Sequence, residues 1–257
     1  MKIKQVLSAL ERFAPLPLQE SWDNAGLQLG LTEAEVSGAL LCLDVNEAII
    51  DEAISKGCNL IVSHHPLLFR GLKQISGQDY VQRCVIKAIK HDIVIVSMHT
   101  NMDNAQGGVN FKIAERLGAT VLSGSVAEME KTPFVFAELP SPMDARTFIE
   151  LVKKQFGVQC AQCNALLERP IRKVAICGGA GDFLLPDAIA SGADAFITGE
   201  MHYHQYFGVE QQIQICVIGH YQSEQYTSEI FRDIIQKECA GVRTEIAETN
   251  TNPIVYI

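Results

Sequence analysis

The sequence has few aromatic residues and no long apolar run. Aromatic side chains make up 7% of the 257 residues, with a single tryptophan. A core of this size must therefore depend on Val, Ile, Leu and Ala, which is typical of a buried parallel sheet covered by helices. No apolar stretch reaches the roughly 18–20 residues of a membrane span, and the N-terminus lacks the apolar segment of a signal peptide. We expect no membrane association.

Basic residues are also scarce, with 21 Lys and Arg against 30 Asp and Glu, a net charge of −9. A nucleic-acid-binding surface normally carries a basic excess, so the charge argues against a nucleic-acid partner. Eight cysteines in a chain of this length are too few for a disulfide scaffold. Several, such as Cys42 and Cys216, lie inside apolar runs, where cysteine behaves as a small hydrophobic residue. We predict free thiols and a cytoplasmic location.

Short β-branched segments alternate with segments of helical periodicity, which predicts an α/β fold. The predicted strands are residues 37–43, 60–63, 93–97, 134–138, 173–177, 195–198 and 214–218. The predicted helices are residues 2–13, 46–56, 80–91, 109–117, 145–155, 184–191 and 223–239.

An internal repeat underlies this alternation. A shift of 135 residues superposes 39–42 on 174–177 and 57–63 on 192–198, and a shift of 121 residues superposes His99 on His220. We therefore predict two lobes of related β-α units that arose by duplication. Their predicted bounds are residues 1–127 with 214–257 for the metal-site lobe, and 128–213 for the second lobe. The C-terminal helix is expected to return to the first lobe.

Histidines and carboxylates follow three of the predicted strands. Imidazole and carboxylate groups at strand ends are suited to a metal site on a rigid sheet. The five candidate ligands are His64, His65, Asp103, His220 and Glu224. Five protein donors crowd one ion but suit two ions ~3.5–4 Å apart that share a bridging hydroxide. We predict a dinuclear site at strand ends between the lobes, and nitrogen and oxygen donors favour Zn, Mn, Fe, Ni or Mg.

Each candidate also has a simpler interpretation. A single histidine can be an ordinary buried or surface residue, and Asp103 or Glu224 can stabilise a helix N-terminus. Ser223 is expected to cap the last helix, which would put Glu224 in its first turn. His99, Glu200 and His204 are candidates to orient ligands or carry protons; the alternative is a polar loop.

A pair of cysteines and a glycine-rich segment carry little functional information by themselves. Cys160-Ala-Gln-Cys163 has the spacing of a zinc knuckle but lacks a second pair of ligands, so we reject a structural zinc site. Residues 178–181 match neither the dinucleotide-binding nor the Walker pattern, which leaves a tight turn as the simpler prediction.

The expected charge of the site indicates a substrate class. Two divalent ions with Asp103, Glu224 and a hydroxide would leave a small positive excess, which attracts phosphate, and the hydroxide would be the nucleophile. This predicts a metal-dependent hydrolase of a phosphorylated small molecule. Because the sequence identifies no general acid, a non-catalytic metal-binding scaffold or regulatory protein is the alternative.

The motifs taken together resemble the Nif-three-like family, whose bacterial members are called type-two GTP cyclohydrolase I homologues. The segments that carry the resemblance are Ser21–Leu27, Ser63–Phe69, Ser97–Asp103, Thr198–His204 and Gly219–Glu224. The resemblance implies a two-lobed α/β protomer, a toroidal homohexamer, and a dinuclear site made by the same five ligands. It also implies opening of the guanine ring of GTP with release of formate, and hence a nucleotide as the phosphorylated substrate.

Overall fold

A computed structural model describes residues 1–122, 133–255 and 257. The chain forms two compact units, residues 1–105 with 227–257 and residues 106–226. The strands are β1 (Gly26–Leu29), β2 (Ala39–Cys42), β3 (Leu60–Ser63), β4 (Val94–Ser97), β5 (Thr120–Val121), β6 (Val135–Met143), β7 (Gln162–Cys163), β8 (Ile171–Cys177), β9 (Ala195–Thr198), β10 (Gln214–Val217) and β11 (Thr244–Ile246). The α-helices are α1 (Ile3–Phe13), α2 (Glu47–Ser55), α3 (Tyr80–Lys90), α4 (Thr100–Asp103), α5 (Val109–Arg116), α6 (Ala145–Phe156), α7 (Leu185–Ala190), α8 (His220–Glu224) and α9 (Thr227–Glu238).

The first unit contains a five-stranded sheet in the order β1-β4-β3-β2-β11. Strands β2, β3 and β4 are parallel and buried along their whole length, as their continuous apolar sequence requires. Helices α2 and α3 make the connections between them, and each begins at a side-chain cap. Asn46 accepts from the backbone N–H of Ile49, and Asp79 accepts from that of Gln82.

The second unit contains a six-stranded sheet in the order β5-β6-β8-β9-β10-β7. Strands β8, β9 and β10 are parallel, and the other three strands pair antiparallel at the two sides. Gly57 in the first unit and Gly192 in the second both have a positive φ, of 63° and 71°. Each glycine therefore allows the left-handed turn that ends the helix before β3 or β9.

The predicted mixed α/β fold is confirmed. Besides the short helix α4, which was not predicted, the structure differs from the prediction in four main respects. Residues 223–239 form two helices, α8 and α9, rather than one. Strand β6 continues to Met143, beyond the predicted end at residue 138, because a shift in its pairing with β8 accommodates two prolines. Strands β1, β5, β7 and β11 were not predicted, since they are short edge or near-edge strands without an apolar run.

The fourth difference concerns the unit boundaries. Residues 214–217 were predicted in the first lobe, but β10 pairs with β9 and therefore belongs to the sheet of the second unit. The predicted boundary at 127/128 lies outside the described residues. Helix α9 packs against α1 in the first unit, as expected for the C-terminal helix. Among the described residues, no helix combines the length and apolar character needed to span a bilayer.

Candidate metal centre

Three imidazoles converge at the carboxyl ends of β3 and β4 in the first unit. His64 and His65 follow β3, and His99 follows β4, its parallel neighbour. The ring centroids of His64 lie 4.9 Å from His65 and 5.3 Å from His99. One nitrogen from each ring lies within 4.8 Å of the others, a grouping that can bind a metal ion. Because β3 and β4 are fixed by the sheet, this cluster is rigidly positioned.

Each of these rings is oriented by a hydrogen bond at Nδ1. The partners are the backbone carbonyl of Met98 for His64 (2.8 Å), Asp44 Oδ1 for His65 (2.7 Å) and Asp23 Oδ1 for His99 (2.7 Å). A metal-binding histidine characteristically donates its second ring N–H to a carboxylate or carbonyl. When Nδ1 donates, the lone pair of Nε2 is the one that binds a cation, so this arrangement suits a metal site.

The carboxylates that hold the rings are ionised. Burial disfavours the charged form of Asp23, but hydrogen bonds from His99 and Thr100 outweigh it and lower the pKa of Asp23 to about 2. Burial likewise opposes ionisation of Asp44, and the hydrogen bond from His65 lowers its pKa below the ordinary 3.8. Asp23 also accepts from the backbone N–H of Thr100 (3.1 Å), which fixes the start of α4.

Helix α4 contributes the carboxylate of the first unit. Asp103 is its last residue, and its Oδ1 lies 3.5 Å from Nε2 of His64. His64 is fully buried and Asp103 is partly exposed. The first unit therefore brings His64, His65, His99 and Asp103 to one edge of its sheet.

The second unit brings together His220 and Glu224. Nε2 of His220 lies 3.0 Å from Glu224 Oε2, and its Nδ1 lies 2.9 Å from Glu200 Oε1. Glu224 is 3% exposed. The histidine is thus oriented through Nδ1, in the same manner as those of the first unit, and its Nε2 faces a buried carboxylate.

Ser223 does not cap a helix, contrary to the prediction. Helix α8 begins at His220, and its N-cap is Gly219, whose φ of 96° allows the chain to turn out of β10. The Ser223 hydroxyl instead donates to the carbonyl of His220 (2.8 Å) and accepts from the backbone N–H of Gly179 (3.0 Å). Ser223 therefore joins helix α8 to the turn at residues 178–181.

The turn at residues 178–181 packs against the side chains of His220 and Glu224. Gly179 has a φ of 63°, and a Cβ on it would lie 2.3 Å from Glu224 Oε1 and 3.4 Å from His220 Cε1. Only glycine leaves the space that these two side chains occupy. The predicted tight turn thus also shapes the site, and the sequence signal for it was the run of glycines after a strand.

The remaining candidates differ in their surroundings. Glu200 contacts His220, whereas the exposed ring of His204 lies against Tyr203 and Phe207. Sequence reasoning missed Asp23 and Asp44. Asp44 lies two residues beyond β2, as His65 lies two residues beyond β3. A search for carboxylates just after β2, like the search made after the other strands, would have found Asp44.

The donor set of each unit fits a divalent cation. All candidate donor atoms are imidazole nitrogens or carboxylate oxygens, which suit Zn, Mn, Fe, Ni or Mg more than metals that require thiolates. The carbonyl and carboxylates that accept from Nδ1 of the rings supply the outer support that such sites need. These features define an α/β protein of two sheets with histidine and carboxylate groupings that can bind metal.

Comparisons with known proteins identify the family. The family model for Duf34/NIF3 (NGG1p interacting factor 3) matches residues 1–253, and the chain belongs to this family. It is 36% identical to a GTP cyclohydrolase 1 type 2 homolog of Clostridium perfringens over 87% of both chains. It is 31% identical to one of Campylobacter jejuni over the full length of both.

Solved structures agree with this assignment. The crystal structure of the Staphylococcus aureus hypothetical protein SA1388 superposes with a TM-score of 0.89 at 27% identity, covering 100% of this chain and 99% of that one. Reduced HcgD from Methanocaldococcus jannaschii has a TM-score of 0.79 at 22% identity, covering 97% and 98%, and so shares the fold.

Proposed function

We propose that this protein is a dinuclear metal-dependent hydrolase that acts on a nucleotide or another phosphorylated small molecule. The observation that carries the proposal is the common arrangement of the four histidines His64, His65, His99 and His220. Each is held at Nδ1 by a carboxylate or carbonyl. The exposed His202 is also held at Nδ1, by Asp182, so this contact alone does not identify a metal ligand. The four strand-end histidines differ from His202 because their ring nitrogens also belong to groupings of donors that can bind a metal ion. A metal ligand needs both the second donor and the support at Nδ1.

The proposed ligands of the two divalent ions are His64, His65, Asp103, His220 and Glu224. His99, whose ring nitrogen lies within 4.8 Å of those of His64 and His65, is proposed to orient these ligands or carry protons. Such ions, when bound, supply Lewis acidity and lower the pKa of water. The chain's own residues orient the donors: Asp44 holds His65, and Glu200 holds His220. Glu200 is the more exposed of these two partners, and it is the group at which a proton can be exchanged with solvent.

The proposed duplication is supported by strand register. In the first unit Ala39 pairs with Leu60, and in the second Val174 pairs with Ala195, so the 135-residue shift preserves the register. Both sheets place a third parallel strand beside this pair, β4 and β10, and each leads to a histidine. A duplication that produced both groups of metal donors accounts for this agreement. We call these groups the first half-site (His64, His65, His99 and Asp103) and the second half-site (His220 and Glu224).

An aromatic pair beside the first half-site favours a substrate with a flat ring. Trp22 is 60% exposed and Phe69 46%, with their ring centroids 5.9 Å apart and both about equally close to His99, at 6.1 and 6.2 Å. Their loops are fixed to each other, because Asn24 Nδ2 donates to the carbonyl of Leu68 (2.7 Å). An ordered, exposed aromatic surface suits stacking of a nucleobase.

The test is a screen of metal-replete protein against nucleoside triphosphates and other phosphorylated metabolites, with phosphate and formate measured separately. We expect close to two metals per chain and turnover that is lost after chelation and restored by metal. Formate release from GTP would assign the activity named for the relatives, and phosphate release would assign a phosphoester or phosphoanhydride hydrolase. Full metal loading without any turnover would contradict the proposal and favour a scaffold or regulatory role.

The toroidal homohexamer and the cytoplasmic location implied by the sequence stay predictions. Sedimentation velocity of the metal-replete protein tests the first of them directly, since a hexamer and a monomer differ sixfold in mass.

A further inference from the structure

Two cysteines face each other across the edge of the second sheet. Strand β7 pairs antiparallel with β10, and Cys163 is the direct partner of Cys216. Opposite residues in an antiparallel pair have Cα atoms about 4.5–5.5 Å apart and side chains on the same face. Disulfides span Cα separations of roughly 4.4–6.8 Å. Both thiols are free, and the antiparallel register puts the two residues directly opposite each other, so the pair is suited to cross-linking.

The two thiols differ in reactivity. The hydrogen bond from Cys216 lowers the pKa of the Cys163 thiol, and the charge of Lys153 adds to this effect. The same hydrogen bond, together with burial, raises the pKa of Cys216. Cys163 is half-buried, whereas Cys216 is fully buried. Since the thiolate is the nucleophile, Cys163 is suited to react first and Cys216 to supply the second thiol.

Other cysteines lack this combination. Burial raises the pKa of the thiols of Cys42, Cys58, Cys84 and Cys239, which disfavours the reactive thiolate. Cys160 is exposed and lies three residues before Cys163, so it is a competing partner. Its position outside β7 leaves it without the opposing-strand geometry that Cys163 and Cys216 share.

We propose that Cys163 and Cys216 form a redox modification site that a hydroperoxide converts to a reversible cross-strand disulfide. The Cys163 thiolate attacks the peroxide, so that an S–O bond forms, the O–O bond breaks and the departing oxygen takes up a proton. The Cys216 thiol then attacks this sulfenic acid, the S–S bond forms, and the oxygen leaves as water with the thiol proton. Two thiols lose two electrons, and the peroxide gains them.

The site does not depend on the proposed hydrolase activity, but it lies on the strand that carries one half-site. Cys216 is in β10, and His220 follows four residues later at the start of α8. Exposed disulfides are more easily reduced than buried ones, and the half-buried Cys163 in the edge strand β7 leaves one sulfur open to a reductant, which fits a reversible modification. A thiol reductant would restore the free pair by disulfide exchange.

The test exposes the full-length protein to a few equivalents of hydrogen peroxide and analyses it by intact mass and non-reducing peptide mapping. We expect loss of two hydrogens, a cross-linked peptide that joins Cys163 to Cys216, and full reversal by dithiothreitol. A cross-link between Cys160 and Cys163, or oxidation without any cross-link, would overturn the proposal.

Two variants separate the roles. Cys216→Ser should accumulate sulfenic acid at Cys163, detected as a dimedone adduct, and form no cross-link at β10. Cys160→Ser is the matched control, and it should form the Cys163–Cys216 cross-link as fast as the wild-type protein. Loss of the cross-link in Cys160→Ser would assign the reaction to the exposed cysteine instead. The wild-type mapping decides the proposal even if a variant fails to fold.

Discussion

The strand ends of the two units carry the same kinds of side chain in different surroundings. In the first unit, the side chain of Asp23, which holds His99, is fully buried; in the second, that of Glu200, which holds His220, is 56% exposed. Strands β4 and β10, which lead to His99 and His220, have equivalent places in the two sheets, but the segments between strand and histidine differ. One residue separates β4 from His99, whereas two separate β10 from His220, and the second of these is Gly219 with a positive φ.

This comparison separates what the sheet fixes from what the loops fix. The parallel strands determine that a histidine emerges at each strand end. The length and conformation of the exit determine whether that histidine lies within a buried hydrogen-bond network or beside an open carboxylate. His99 is therefore the more enclosed of these two histidines (14% exposed), and His220 is the more exposed (31%).

The largest expected effect comes from removing one ligand from each unit. His64→Ala and Glu224→Ala should each lower metal affinity by more than about 100-fold, because removal of a ligand exceeds the cost of removing its outer support. Metal content by elemental analysis and turnover of the active substrate are the measurements. If Glu224→Ala kept two metals per chain, the second unit would contribute no ligand and the site would belong to the first unit alone.

Gly179→Ala tests whether the glycine turn shapes the second half-site. The added Cβ would meet Glu224 Oε1 at 2.3 Å, so we expect metal affinity to fall by roughly 10- to 100-fold, as for other outer-support changes. Gly157→Ala is the matched control, since its φ of 64° is the same but its Cβ would meet nothing within 4 Å. Both variants carry the same backbone strain, so an equal loss of metal would refute a specific role for the turn.

The sequence predicted the strands of the site better than the contacts behind it. Strands β3 and β9 have the predicted bounds, because each is a short apolar run between a glycine turn and polar residues. Strand β11 escaped prediction because Thr244–Ile246 has no apolar run and is defined by its pairing with β2. Asp23 and Gly179 lie in loops whose approach to the histidines depends on tertiary packing, and no local pattern encodes that approach.

The carboxylates that hold the histidines at Nδ1 allow a sharper comparison of the two units. Asp44→Asn should disturb the first half-site more than Glu200→Gln disturbs the second, because Asp44, which holds His65, is less exposed than Glu200 (35% against 56%) and is also fixed by Thr251. We expect up to about 100-fold lower metal affinity for Asp44→Asn and about tenfold or less for Glu200→Gln. Competitive titration with a metal indicator measures both. Equal losses would show that burial of the partner does not distinguish the two strand ends.

The smallest expected effect concerns the aromatic pair Trp22 and Phe69, which lies beside His99 in the first unit. Trp22→Ala should raise the KM for a nucleoside triphosphate by roughly 5- to 100-fold, since stacking of one base contributes about 1–3 kcal/mol. It should leave the metal content and the KM for inorganic triphosphate unchanged, because that compound has no ring to stack.

Tyr80→Ala, also an exposed aromatic residue of the first unit, is the control, and it should leave both KM values unchanged. An equal rise in KM for the nucleotide and inorganic triphosphate after Trp22→Ala would mean that Trp22 supports the metal-site loops rather than the base. The two units would then differ only in how their loops pack, and the first unit would have no separate surface for substrate recognition.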